Sequence, residues 1–246
     1  GTAERYFKRS RTGTGIEPYV TYAIIAVTVA IGMLALAIPD FEIWSQDTLA
    51  LTKYGVYTGE YWRLGTVVLV HGGILHLAFN MYALFIVGPI VEQLYGHWRF
   101  LLIYVLCGLG GSAASYAFSD ARASVGASGA VFGLFGMLLV ADRVHKPALT
   151  RNARNLTAQI GGLIAVNLVI GFVATGIDNA AHIGGLVTGA ILGLVMVPIA
   201  PTMATFWTNV ASSKLQTGLT RLGWLVGTLI VIGVVVALVA AGPAAF

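Results

Sequence analysis

Charge is scarce in this chain. Of 246 residues only 10% are Asp, Glu, Lys or Arg, where a soluble globular domain carries roughly 25%. Cysteine is nearly missing as well: Cys107 stands alone. One thiol excludes an intrachain disulfide and a cysteine metal cluster, and Cys107 reads as a small buried hydrophobe. No repeat with a period of about 20–50 residues is visible, so nothing points to a solenoid or propeller.

Apolar residues fill the space, at 57% of the chain. Seven stretches contain no Asp, Glu, Lys or Arg: Val20–Ile38, Leu64–Val91, Phe100–Phe118, Ala123–Ala141, Leu156–Ile177, Ala180–Ala200 and Leu222–Phe246. A bilayer-spanning helix needs about 20 mostly apolar residues. The fold class expected is therefore an all-α polytopic membrane protein, with little chain left for a soluble domain. The first stretch is read as a retained span, not a cleaved signal peptide.

Placement of the charges orients the spans. With a cytoplasmic N-terminus, one side holds Arg5, Lys8, Arg9, Arg11, Arg99, Arg143, Lys146, Arg151, Arg154, Lys214 and Arg221. The other side holds Lys53, Arg63 and Arg122. The excess of basic residues on one side is the positive-inside pattern. It predicts a cytoplasmic N-terminus, an outer C-terminus and a basic surface against anionic lipid. The net charge of +4 is thereby a matter of topology, and no nucleic-acid partner is implied.

Residues 1–17 read as a polar cytoplasmic tail and 201–221 as a cytoplasmic linker. Residues 39–63 form the long outer loop, in which Phe41, Trp44, Tyr54, Tyr57, Tyr61 and Trp62 alternate with polar residues. Such aromatics favour the headgroup region. A loop dipping into the outer leaflet and an ordinary folded loop both fit this composition.

Histidine inside an apolar span is costly and reads as functional by default. His71, His76 and Asn80 lie in the second span, Ser128 in the fourth and His182 in the sixth. Gly126-Ala127-Ser128-Gly129 on its own is a weak signal. The related G-x-S-x-G of soluble hydrolases sits on a strand-to-helix turn, whereas continuous helix is expected here. Ala181, Gly185, Gly189 and Gly193 recur every fourth residue, a stripe that lets a second helix approach at backbone distance. Gly129 and Gly133 offer the matching face. Both spans enter from the outer side, so His182 Nε2 and Ser128 Oγ are expected within hydrogen-bond reach. His76 and Asn80, four apart on one helix face, supply donors at similar depth. Such donors beside an activated serine make an oxyanion hole. Asp178 is expected to cap the sixth span, and Asn167 to bond a neighbouring helix.

Together these residues resemble the rhomboid family of intramembrane serine proteases. Trp62-Arg63 matches the family's WR, His76 and Asn80 its HxxxN, and Glu92 with Gly96 its ExxxG. Gly126–Gly129 matches GxSG, and Ala181-His182 through Gly185 and Gly189 matches AHxxGxxxG. The resemblance implies a six-helix bundle over residues 18–200 and a seventh transmembrane helix over 222–246, a six-plus-one arrangement. It implies Ser128 as nucleophile and His182 as base, with His76, Asn80 and the Ser128 amide as oxyanion donors. Gly126, Gly185 and Gly189 would shape the site, and Trp62, Arg63 and Glu92 would be architectural. Where the family commonly has tyrosine four residues after the serine, this chain has Phe132, whose ring can stack but has no hydroxyl. No metal or cofactor is implied. The partners implied are transmembrane protein substrates in the bilayer, with a small residue before the cut and helix-weakening residues nearby; the oligomeric state is left open. Composition favours a bacterial inner membrane and leaves a mitochondrial origin open. The alternatives weighed are a catalytically inactive rhomboid-like chaperone and a transporter.

Overall fold

The computed structural model describes residues 17–144, 151–173, 176–198 and 214–243. The expected tail apart from Glu17, and the expected linker up to residue 213, lie outside the described residues. Helix α1 spans Tyr19–Ala37 and α2 Pro39–Leu49. Strand β1 (Leu51–Thr52) leads to the short α3 (Lys53–Tyr57) and α4 (Arg63–Thr66). A 3-10 turn at Val67–Leu69 precedes α5 (Ile74–Tyr95), and α6 follows at His97–Phe118. Strand β2 (Ala123–Ser124) precedes α7 (Ser128–Val144), then come α8 (Arg151–Val173), α9 (Asn179–Val195) and α10 (Lys214–Ala241).

Four helices among the described residues are long and apolar enough to cross a bilayer: α1, α5, α6 and α10 from Arg221. The apolar α9 is shorter, and α7 has 17 residues. The chain is thus a helical integral membrane protein. Its outward-facing Leu75, Phe79, Tyr82 and Phe85 on α5, each more than half exposed, are the surface that lipid solvates.

Two expected spans are interrupted. The stretch Leu64–Val91 is not one helix: it breaks after the 3-10 turn and restarts at Ile74, with Gly73 at φ +132° as the break point. That backbone conformation is strained for any residue with a Cβ. The stretch Ala123–Ala141 opens as strand and turn, and is helical only from Ser128. At the C-terminal end, α10 begins at Lys214 and not at Leu222. Asn167, expected to bond a neighbouring helix, is exposed on α8.

The segment expected as the outer loop, residues 39–63, is folded. Pro39 sits in the first turn of α2, where its fixed φ suits a helix start, with Asp40 and Glu42 beside it at the positive end of the dipole. The α2 C-terminus is closed by side chains from further along. Arg63 donates to the carbonyls of Asp47 (2.6 Å) and Ala50 (2.9 Å), Trp62 Nε1 to Thr48 (3.1 Å) and Thr66 Oγ1 to Leu49 (2.9 Å). The carbonyls a helix end leaves without partners are thus bonded. Strand β1 then pairs antiparallel with β2, Leu51 opposite Ser124 and Thr52 opposite Ala123.

Glu92 does similar work at the other end of α5. It is fully buried and accepts from the backbone N–H of Val20 (2.9 Å) and Thr21 (2.8 Å) and from the Thr21 hydroxyl (2.6 Å). Helix α1 has no side-chain cap of its own, so Glu92 caps it from a distance. His97 Nδ1 lies 2.5 Å from the same carboxylate.

Candidate active site

Ser128 is the first residue of α7. Its backbone N–H is one of the first-turn donors that no helical carbonyl can reach. Two residues earlier Gly126 stands at φ +118°, and its N–H donates to the Val67 carbonyl at 3.1 Å. The serine therefore occupies a strand–turn–helix step, the context that the continuous-helix expectation denied it.

His182 lies in the first turn of α9. Asp178 caps that helix: Oδ1 accepts from the Ala181 N–H at 3.0 Å, and Oδ2 from the Ser115 hydroxyl. Both carboxylate oxygens are engaged away from the imidazole. His182 Nε2 lies 2.8 Å from Ser128 Oγ, although the residues are 54 apart in sequence. The Phe132 ring, one turn after the serine, stacks on the imidazole with centroids 4.2 Å apart and planes at 5°. His182 Nδ1 is buried with no hydrogen-bond partner. When Nε2 accepts from a hydroxyl, the neutral ring carries its proton on Nδ1.

Glycines set this approach. A Cβ added at Gly185 would run into the backbone of Gly129, and one at Gly189 into that of Gly133. At Gly193 it would lie 2.7 Å from the Met137 carbonyl. The seam between α7 and α9 is thus backbone against backbone. In lipid, where apolar side chains gain little by leaving the solvent, such close packing holds helices together.

His76 and Asn80 occupy the first two turns of α5. The Gly72 N–H donates to His76 Nδ1 at 3.4 Å, which leaves Nε2 to carry the proton and donate. A Cβ at Gly126 would lie 2.8 Å from that Nε2, so the imidazole sits directly over the turn before Ser128. Asn80 is buried, and its Nδ2 donates to the His76 carbonyl at 2.9 Å. The amide keeps a second N–H. A pocket beside Ser128 is lined by Ser112, Ser124, Val125, Gly126, Gly129 and Ala181 among others.

The family model described as the Rhomboid domain matches residues 58–199. The chain belongs to the rhomboid family. It is similar to Rhomboid protease GluP of Bacillus subtilis (strain 168), 40% identical over 188 residues, which are 72% of this chain and 36% of GluP. A rhomboid-named protein of the same strain, YdcA, is 34% identical over 183 residues, 74% of this chain and 90% of YdcA. Rhomboid protease AarA of Providencia stuartii is 29% identical over 228 residues, covering 78% of this chain and 81% of AarA. The chain spans 36% of GluP and 48% of RHOMBOID-like protein 5 of Arabidopsis thaliana, less than half of each.

In this rhomboid the structure brings Ser128, His182, His76, Gly126 and Phe132 to one place. Gly185 and Gly189 lie along the seam below it. Trp62 and Arg63 close the C-terminus of α2, and Glu92 is at the far end of α5. Sequence reasoning passed over α6. A Cβ at Gly111 would lie 2.9 Å from the Ala181 carbonyl and 3.1 Å from Gly129 Cα, so α6 wedges against both site helices. The signal was present in Gly108, Gly111, Ser112 and Ser115, small residues at helical spacing.

Proposed function

We propose that this rhomboid is an intramembrane serine endopeptidase that cuts transmembrane helices near the outer membrane surface through a Ser128–His182 dyad. The 2.8 Å approach of His182 Nε2 to Ser128 Oγ carries this reading. Serine is a poor nucleophile until a base takes its proton. In the proposed cycle Oγ attacks the scissile carbonyl carbon as its proton passes to Nε2. The carbonyl oxygen becomes an oxyanion, met by the Ser128 N–H, His76 Nε2–H and the second N–H of Asn80. Each such donor is worth about 3–4 kcal/mol in acyl transfer. The C–N bond then breaks, and His182 returns the proton to the leaving amine. Water, deprotonated by His182, attacks the acyl-enzyme carbonyl, and the C–O bond to Ser128 breaks, freeing the acid and the hydroxyl.

A helix backbone offers no free carbonyl to attack, so substrates are transmembrane helices weakened by glycine or proline near the outer surface. The small side chains around the pocket beside Ser128 suit a small residue before the cut. Six spans over 18–200 with a seventh at the C-terminus, an inside N-terminus and an outside C-terminus, in a bacterial inner membrane, complete the proposal.

A fluorophosphonate probe and a transmembrane reporter test it together. Wild type is expected to take the label and cut the reporter, and Ser128→Ala and His182→Ala to do neither while staying folded. Labelling that survives loss of His182 would refute the dyad. A chain that binds the reporter but neither labels nor cuts would be a binding relative instead.

A further inference from the structure

His71 is absorbed by none of the roles above, yet three parts of the site meet on it. Its Nε2 accepts from the N–H of Ala127, the residue before the nucleophile, at 3.4 Å. Its ring meets the His76 ring edge-on, with centroids 5.1 Å apart and planes at 67°. Its own carbonyl lies 3.5 Å from Gln46 Nε2 on α2 of the outer loop. The break before α5 is what allows this. Were Leu64–Val91 one helix, the side chain of His71 would be fixed more than a turn from His76 on a different face. The Gly72-Gly73 corner turns it back over the serine turn.

The geometry points to His71 as a positioning residue that pins the turn carrying Ser128 and sets the ring of His76. The logic is tautomeric. By accepting from Ala127, His71 Nε2 is unprotonated, and the proton sits on Nδ1, which is buried. The ring is therefore neutral and directional. The T-shaped contact between the two rings holds the His76 imidazole in the plane in which Gly72 reaches Nδ1 and leaves Nε2 free to donate. Ala127 in turn fixes where the Ser128 N–H points. A long ground-state bond of this kind is expected to tighten as charge develops. The role rests on the reading of Ser128, His182 and His76 given above.

Two variants separate acceptor from ring. His71→Phe keeps an aromatic edge and loses the acceptor, while His71→Gln loses the ring but returns an oxygen near the Nε2 position. With a transmembrane reporter in liposomes, His71→Phe is expected to lower kcat about tenfold or more, as small misplacements at a reacting centre do, with KM within about twofold. His71→Gln is expected to recover most of that loss at equal thermal stability. A structural role alone would instead lower stability in both and leave the kcat of the folded fraction unchanged, and that result overturns the proposal. Nitrogen-15 NMR of histidine-labelled protein reads the same point without activity. Wild type is expected to show an unprotonated His71 Nε2 and a protonated His76 Nε2, the latter disturbed in His71→Phe. A protonated His71 Nε2 in wild type, or a His76 ring indifferent to His71→Phe, overturns the role even if the protein cuts nothing. Failure of wild type to label with fluorophosphonate counts against the protease reading alone.

Discussion

Two helix seams in this rhomboid are both lined with glycine and differ in what the glycines face. Between α7 and α9, a Cβ at Gly185 or Gly189 meets main-chain atoms of Gly129 and Gly133. Between α1 and α5, a Cβ at Gly32 meets the end of the Leu77 side chain, its Cδ2 at 2.6 Å. Main chain cannot step aside, whereas a leucine terminus can rotate. The first seam carries the serine and the histidine, and at Gly185 and Gly189 its spacing is set by main chain. The second binds α1 to the bundle and is finished by a polar clasp, Glu92 of α5 bonded to the first turn of α1. The site is thus held by shape where position matters to a fraction of an ångström, and by adaptable contacts elsewhere.

Gly189→Leu breaks the comparison hardest. Four added carbons must force α9 off α7, at a cost of about 3 kcal/mol or more for overpacking against a rigid wall. The seam opens directly below the contact between His182 and Ser128. Cleavage and fluorophosphonate labelling are expected to vanish together, with the loss of labelling exceeding the loss of folded protein. A variant that labels normally would mean that the seam does not set the site.

Glu92→Gln acts on the clasp. The carboxylate receives three hydrogen bonds from α1 while fully buried; an amide would turn a donor toward donors. The expected loss is about 2–4 kcal/mol of stability. Glu92 lies about 24 Å along α5 from His76, at 1.5 Å per residue. Thermal unfolding is therefore expected to shift down while the kcat of the folded protein stays within about twofold. A large fall in kcat at unchanged stability would show that the clasp reaches the site.

The contrast also explains what the sequence made legible. The fourfold spacing from Ala181 to Gly193 sufficed to pair α9 with the serine helix, because a small-residue stripe has one physical use in lipid. The expected contact of His182 with Ser128 rested on reading both spans as entering from one side. The interruptions were hidden. Val, Ala, Ser and Gly suit a strand, a turn or a buried helix equally in a short apolar run, so nothing in Ala123–Ala141 announced that helix begins only at Ser128. At Gly72-Gly73 the mark was visible, since adjacent glycines break a helix, but an uninterrupted apolar stretch outweighed it. At Asn167 the expected bond to a neighbouring helix came from polarity alone, and α8 leaves the residue exposed.

The smallest effect is expected at Gly32, and it sharpens the comparison most. Gly32→Ala adds one methyl to a helix interior, which favours the helix by about 1 kcal/mol through reduced backbone freedom. Against this stands the shift of Leu77, which is buried at 4% exposure but meets the new methyl with a terminal carbon only. Rotamer adjustment costs about 0.5–1.5 kcal/mol, so the two terms nearly cancel. Thermal unfolding is expected within a few degrees of wild type, with cleavage unchanged. Gly189→Ala, the same chemical change on the other seam, has no such relief, because the nearest atoms are the carbonyl and Cα of Gly133. Equal stability losses for the two alanine variants would show that side-chain and main-chain walls yield alike, and the distinction between the seams would fall.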